Sequence, residues 1–363
     1  MVRMIPESSE NVPVTLISGF AGSGKSTVIE ALRRAPGGDK LVIIQDNGEE
    51  DLIEILSEAA NRVEDGGAIV VECAPALEPY PIVEFFEENP LPEGIRIDAL
   101  VTVVDGSRFM TDVFTSRDME STGLAIDEGD DRSVSEVMIE QVEFADVIIV
   151  NKMDLINSAD FSVLDSLMER LNPHAKRLHA TRGAVAPKDV VRTELFHLEE
   201  TDAGAGWLAE LDGAFDEIGE VEGVSSFTYL EHRPFHPERF AEILTEFGFP
   251  GLVRAKGSVW IATRHNEIGL WTLAGRTSLI TSAGHWFAAT PASEWPSSEA
   301  DRLEIMQDWV PPFGDRRQEI AFIGIDLPEQ EIRSALDSCL LTHQEMRDGP
   351  ESWSTLADPL PEW

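Results

Sequence analysis

Cysteine is nearly missing from these 363 residues; Cys73 and Cys339 are the whole complement. Two cysteines give neither a disulfide framework nor a Cys-x-x-Cys zinc pattern. Basic residues are also few. Lys and Arg total 28 against 67 Asp and Glu, a formal net charge of −39. A field of that sign repels phosphodiester backbones and anionic headgroups, so neither nucleic acid nor a membrane is expected as a partner. Long apolar runs are missing as well. No stretch of about 18 uncharged apolar residues occurs, which argues against a spanning helix, and Met1–Val12 is polar, without the apolar core of a secretory leader. These absences predict a cytoplasmic protein. The acids are spread along the whole length, and the scarce lysine is outnumbered by arginine. That pattern predicts a halophilic protein, because a salty cytoplasm screens the self-repulsion of such a chain. An acidic protein of an ordinary cytosol is the alternative.

What is present begins at Val14–Ile17, an apolar and β-branched run that reads as a buried parallel strand. It leads into Gly19-x-x-x-x-Gly24-Lys25-Ser26, the pattern of a phosphate-binding loop. Glycine lets backbone N–H groups converge on a triphosphate, and the helix that follows presents its positive end to the same anion. Gly19, Gly22, Ser23, Gly24, Lys25, Ser26 and Thr27 are therefore expected to cradle phosphates. Lys25 reaches the β- and γ-phosphates, and the Ser26 hydroxyl is a candidate ligand for Mg²⁺. A second apolar run, Asp146–Val150, ends in Asn151-Lys152-Met153-Asp154. A carboxylate at Asp154 can accept from guanine N1–H and the exocyclic amine, whereas adenine has no donor at N1. Asn151, Lys152 and Asp154 thus select GTP.

Up to about residue 200, short apolar runs alternate with helical stretches, which predicts an α/β fold: a P-loop NTPase with a doubly wound, mainly parallel sheet. The expected strands are Val14–Ser18, Lys40–Gln45, Ala68–Glu72, Ala99–Val104, Asp146–Val150 and Lys176–His179, with helices including Ser26–Arg34, Leu52–Ala60 and Ser133–Glu143. The domain is drawn as residues 12–200, followed by a Gly-, Ala- and acid-rich linker over 201–223 with a short helix near Trp207–Phe215. A C-terminal α+β domain follows over 224–345. Its expected strands are Ser225–Leu230, Gly257–Ala262, Gly269–Ala274 and Ile320–Ile325, with helices at Pro237–Phe247 and Glu329–Leu341. The tail, 346–363, is expected to drape over the surface.

The phosphate loop Gly19-Phe-Ala-Gly-Ser-Gly-Lys-Ser-Thr27 and the stretch Asp131–Asp154 resemble those of the CobW-type GTPases, a metallochaperone family. In the second half, Arg233-Pro-Phe-His-Pro-Glu-Arg239, Lys256-Gly-Ser-Val-Trp-Ile-Ala-Thr-Arg264, Asp315-Arg-Arg-Gln-Glu-Ile-Ala-Phe-Ile-Gly324, Cys339-Leu-Leu-Thr342 and Asp358-Pro-Leu-Pro-Glu-Trp363 are similar to the CobW C-terminal domain, most of all in its zinc-associated branch. The resemblance implies GTP hydrolysis coupled to delivery of a transition metal, zinc more than cobalt, to a client metalloprotein. It also implies that Asp46 and Glu49 match two switch-loop carboxylates near the metal site, and that Glu72 matches the acid that handles Mg²⁺ or its water. Lys25, Ser26 and Glu72 become the catalytic set, with Ser26, Asp46, Glu49 and Glu72 as metal ligands. Asp105 is left open between a Mg²⁺ contact and a helix cap.

Two departures bear on this expectation. Relatives carry a Gly-Cys-x-Cys-Cys motif before the second acidic strand, and this chain has none, which predicts only weak Zn²⁺ binding. The residues after Glu72 are Cys73-Ala-Pro75 where relatives have a glycine whose N–H can contact the γ-phosphate. Proline has no N–H, so hydrolysis is expected to be slow. The rival reading is a GTP-responsive binding module that has lost metal transfer. Cys73 and Cys339 are expected to be buried, as are Trp260, Trp271 and Trp286. His232, His236, His265 and His285 cluster in the second half at no zinc spacing.

Overall fold

A computed structural model describes residues 11–46, 52–77, 81, 91–127, 129–197, 205–215, 218–246 and 248–363. The chain divides into two compact units, Met1–Gly206 and Trp207–Trp363.

In the first unit six strands form one sheet: β1 Val12–Ser18, β2 Leu41–Gln45, β3 Ala68–Glu72, β4 Ile95–Asp105, β5 Val147–Asn151 and β6 Lys176–His179. Their order is β2-β3-β1-β4-β5-β6, and every pairing is parallel. The apolar runs follow from this topology, since a parallel sheet is covered on both faces and alternate residues of a strand feed different cores. Val14 and Leu16 of β1, with Ile69 and Val71 of β3, pack against Leu56 and Ala59 of helix α2, Leu52–Ala60. Ile17, Ala68 and Val70 instead pack against Val28, Ile29 and Leu32 of helix α1, Lys25–Arg34. Each fully buried Val, Leu or Ile side chain among them stabilises the fold by about 1.5–3 kcal/mol. The helix Val134–Glu143 starts at a capping box, with Ser133 and Glu136 satisfying each other's backbone N–H. The outcome of the winding is that Gly19, Asp46, Glu72, Asp105 and Asn151 all stand at the carboxyl ends of their strands, where such sheets bind ligands.

The second unit is a five-stranded antiparallel sheet in the order β10-β9-β8-β11-β7. The strands are β7 Val224–Glu231, β8 Leu252–Val259, β9 Glu267–Ala274, β10 Thr277–His285 and β11 Gln318–Ile325. The helices Pro237–Glu246 and Glu329–Cys339 supply Phe240, Ile332, Leu336 and Cys339 to a core with Phe227, Trp271 and Phe322. Two strands depart from expectation. β8 runs Leu252–Val259, earlier than expected, and its first half is hidden in the sequence because Arg254, fully buried, and Lys256 interrupt the apolar pattern. β10 was not foreseen; it is an edge strand in which only Ile280 is buried, so no apolar alternation marks it.

The tail runs over the surface, most of Gly349–Trp363 being exposed, and two buried side chains pin it there. Trp353 is 1% exposed and meets Trp260 and Phe313, and Leu360 is 6% exposed. Arg264 stacks on the Trp363 ring and pairs with Asp358, fastening the last residues to β9 and its approach. The buried tryptophans are as expected, with Trp260 and Trp271 fully buried and Trp286 nearly so.

Candidate functional site

The phosphate loop leaves β1 through Gly19 and enters α1 at Lys25. Gly19, Gly22 and Gly24 have φ of 133°, 80° and 105°, the left-handed region that side chains avoid. Two of them are also hemmed in. A Cβ on Gly19 would lie 2.3 Å from the Val103 carbonyl oxygen, and one on Gly24 would lie 2.3 Å from Asn151 Nδ2. The loop borders a cleft of about 580 Å³ that is also lined by Gln45, Asp46, Glu72, Cys73, Ala74, Pro75 and Lys152. Ligand pockets of that volume are common.

Lys25 is buried, with its ammonium donating to the Gly19 carbonyl. Burial lowers its pKa, and the nearby Glu72 carboxylate works in the opposite direction. Ser26 Oγ donates to Glu72 Oε1 at 2.5 Å, and Gln45 Nε2 donates to Glu72 Oε2 at 3.3 Å. Asp46 is buried beside them, its N–H bonded to the Glu72 carbonyl at 2.9 Å. Glu49 lies outside the described residues. Among the described residues no group of three or more His, Cys, Asp or Glu is placed to hold a metal ion. Ser26, Asp46 and Glu72 nonetheless form an oxygen-only set at the cleft, the donor chemistry that suits Mg²⁺.

Cys73 is buried at the end of β3, and burial together with the Asp46 carboxylate pushes its thiol up to about 12. Cys339 is fully buried in a helix, and burial pushes its thiol to about 12 as well. Both are free cysteines. In the second unit, burial and the Arg316 charge pull His265 down to about 4 among Trp260, Phe313 and Trp353. It is a half-buried ring packed against that aromatic cluster.

The guanine-type loop is strapped to the phosphate loop. Asn151, 2% exposed, donates to the Ser23 carbonyl at 3.1 Å and accepts from Gly183 N–H at 3.0 Å. Lys152, at φ 62°, donates to the Gly22 carbonyl at 2.7 Å and to Asp105 Oδ2 at 2.6 Å. Asp154 is exposed in a short 3₁₀ turn, Met153–Leu155, the one member of the motif left facing outward. Asp105 is not the cap of the helix that follows it. Lys152 and Ser107 occupy its carboxylate, and the helix that follows, Phe109–Asp112, begins after Arg108.

Two residues of this site are absent from the motifs. Gln45 is the polar end of an otherwise apolar strand, the one signal it gives. Gly183, at φ 73°, follows β6 in Ala180-Thr-Arg-Gly183; a Cβ there would lie 2.7 Å from the Thr27 backbone. A glycine four residues beyond the last parallel strand is a weak cue, and its contact with Asn151 spans 32 positions.

The family model "CobW/HypB/UreG, nucleotide-binding domain" matches residues 46–179, from the end of β2 to the end of β6. "Cobalamin synthesis protein cobW C-terminal domain" matches residues 224–340. A Dictyostelium discoideum protein named zinc-regulated GTPase metalloprotein activator 1 is 31% identical over 404 aligned positions, spanning 97% of this chain and 84% of the relative. A Mycobacterium tuberculosis protein named zinc chaperone Rv0106 is 29% identical, spanning 86% of this chain and 76% of the relative. The Escherichia coli zinc chaperone YjiA is 22% identical, spanning 89% of this chain and 97% of the relative. With a phosphate loop strapped to a guanine-type loop in its first unit, matched domains in both, and alignment along nearly its whole length, the chain belongs to the CobW family of P-loop GTPases.

Proposed function

We propose that this protein binds GTP with Mg²⁺, hydrolyses it slowly in the cytoplasm, and uses the cycle to deliver a transition metal, zinc rather than cobalt, to a client metalloprotein. One observation carries the nucleotide reading: Asn151 and Lys152 bond the carbonyls of Ser23 and Gly22, so one cleft joins a base-reading loop to a phosphate cradle. Gly22–Thr27 would hold the phosphates by backbone N–H groups and the α1 terminus. Lys25 would stabilise charge on the phosphoryl group as the water oxygen–phosphorus bond forms and the bond to the GDP oxygen breaks. Ser26 and Glu72, with Asp46 nearby, would hold Mg²⁺, which neutralises phosphate charge when bound. A slow rate follows from Pro75, which offers no N–H to the γ-phosphate. Its loop is also tied back, since Gln141 Nε2 donates to the carbonyls of Pro75 and Leu77 at 3.0 Å each.

The names of the relatives favour zinc as cargo. Thiolate capture is unsupported here, because both cysteines are buried and held as thiols. Carboxylates bind zinc less tightly than clustered thiolates, so the cargo site would be weak and would join Asp46 or Glu49 to Glu72. Calorimetric titration of the metal-free protein with Zn²⁺, in GDP and in a non-hydrolysable GTP analogue, is expected to show affinity that differs between the two states and zinc that dialyses away against a chelator. Stoichiometric zinc that survives the chelator and disappears in Cys73→Ser would restore a thiolate site. Absence of zinc binding in both nucleotide states would favour the second reading, a GTP-responsive binding module, which the two buried thiols support.

The acidity bears on where the protein works. At a net charge of −39, carboxylate repulsion should destabilise the fold as the screening length grows from about 3 Å at 1 M salt to about 10 Å at 0.1 M. The melting temperature is expected to rise steadily with KCl across that range. A midpoint indifferent to KCl would remove the halophilic reading.

A further inference from the structure

Glu72 is held from two sides by neutral donors: Ser26 Oγ at the start of α1 bonds Oε1, and Gln45 Nε2 at the end of β2 bonds Oε2. The second grip is built into the sheet. Gln45 and Glu72 are register partners on adjacent parallel strands, and the ladder continues one step beyond them, from Asp46 N–H to the Glu72 carbonyl. The backbone therefore sets where both side chains begin, and the amide arm has a fixed length. Both residues border the same cleft as Lys25 and Ser26. A glutamate at a solvent-facing mouth has three side-chain torsions to choose from, and ordering it costs entropy. A donor on each carboxylate oxygen selects one arrangement in advance. Gln45 is itself exposed and is the sole polar residue of β2, so it adds nothing to the core.

We infer that Gln45 is a positioning residue that holds the Glu72 carboxylate in the orientation in which, with Ser26, it meets the cation at the phosphate end of the cleft. This rests on the reading above that GTP and Mg²⁺ occupy that cleft. Length and charge both matter at this position. Asparagine is one methylene shorter, about 1.5 Å, and leaves Oε2 without this partner. Leucine keeps much of the volume and removes the donor. Glutamate sets a second carboxylate against the first, and like charges disfavour the ionised form of each.

The test compares the full-length wild type with Gln45→Leu, Gln45→Asn and Gln45→Glu. The primary readout is the Mg²⁺ concentration that half-saturates the slowing of fluorescent GDP release, measured beside kcat, KM for GTP and the melting temperature. Loss of one long, solvent-exposed hydrogen bond is expected to raise the half-saturating Mg²⁺ by about three- to tenfold in Gln45→Leu and Gln45→Asn, and to lower kcat similarly. GDP affinity without Mg²⁺ should stay within about twofold, as for other exposed substitutions, with an unchanged melting temperature. Gln45→Glu keeps the length of the arm but replaces the donor with an acceptor, so it should not restore the wild-type Mg²⁺ response. A Mg²⁺ response carried unchanged from wild type into Gln45→Leu overturns the inference alone. Equal losses with and without Mg²⁺ also overturn it, by making Gln45 merely structural. No Mg²⁺ effect in the wild type would overturn the GTP–Mg²⁺ reading and this inference with it.

Discussion

Lys25→Ala is expected to lower GTP hydrolysis by about 10²–10³-fold, the loss typical of removing one preorganised donor from developing charge. The residue is well placed for that role. It opens α1, is 7% exposed, and bonds the carbonyl of the glycine that begins the phosphate loop. The variant also separates catalysis from folding. Burial lowers the Lys25 pKa, so at every pH below that lowered value the folded protein carries a charge it would hold more easily unfolded. Removing the ammonium should therefore leave the melting temperature of the nucleotide-free protein unchanged or raise it. The measurement pairs single-turnover GTP hydrolysis with thermal unfolding. A Lys25→Ala protein that hydrolyses GTP at the wild-type rate would show that the activity belongs to a contaminant or to another part of the chain.

The parts of this site that are legible in the sequence are those whose chemistry is contiguous. Gly19–Thr27 and Asn151–Asp154 are single short stretches, each preceded by a strand that is apolar because it is buried on both faces. Contacts between distant segments are not legible in this way. Gln45 bonds a residue 27 positions away, and nothing in Ile44-Gln-Asp46 says that the next strand will bring Glu72 into register with it. Asp105 looked like a metal or capping carboxylate because it ends a strand, yet its partner is Lys152, 47 positions on. The motif that names Lys152 as a nucleotide residue gives no hint of that ion pair. In the second unit, β10 escapes notice because an edge strand with one buried residue needs no apolar alternation. β8 is displaced because a buried arginine at 254 looks like a loop residue when read one position at a time. What pins the tail is illegible for a related reason. Its prolines mark a surface segment, and most of it is exposed, but the side chains that anchor it, Trp353, Leu360 and Trp363, are single apolar residues whose partners lie far earlier in the chain.

Asp154→Asn is expected to weaken GTP binding by about 10²–10⁴-fold, corresponding to the loss of two hydrogen bonds on a charged acceptor at about 1.5–3 kcal/mol each. The exposed position of Asp154 matters to the size of this effect. Asn151 and Lys152 spend their side chains on Ser23, Gly22, Gly183 and Asp105, so the strap that shapes the cleft does not depend on Asp154. The substitution should leave the fold, the phosphate loop and the Ser26–Glu72 contact intact while changing only what the base meets. An asparagine amide can donate where the carboxylate could only accept. Xanthine, which carries a carbonyl in place of guanine's exocyclic amine, should therefore gain affinity in the variant as GTP loses it. ATP should bind poorly to both forms, since adenine has no N1–H to offer Asp154 and the phosphate contacts alone do not discriminate. Competition among GTP, XTP and ATP against a fluorescent guanine nucleotide at high salt measures all three at once. Equal affinity of the wild type for ATP and GTP would sink the assignment of Asn151–Asp154 as the base-reading loop. A crossover from GTP to XTP in Asp154→Asn, with the melting temperature unchanged, would trace the specificity of the site to one exposed carboxylate.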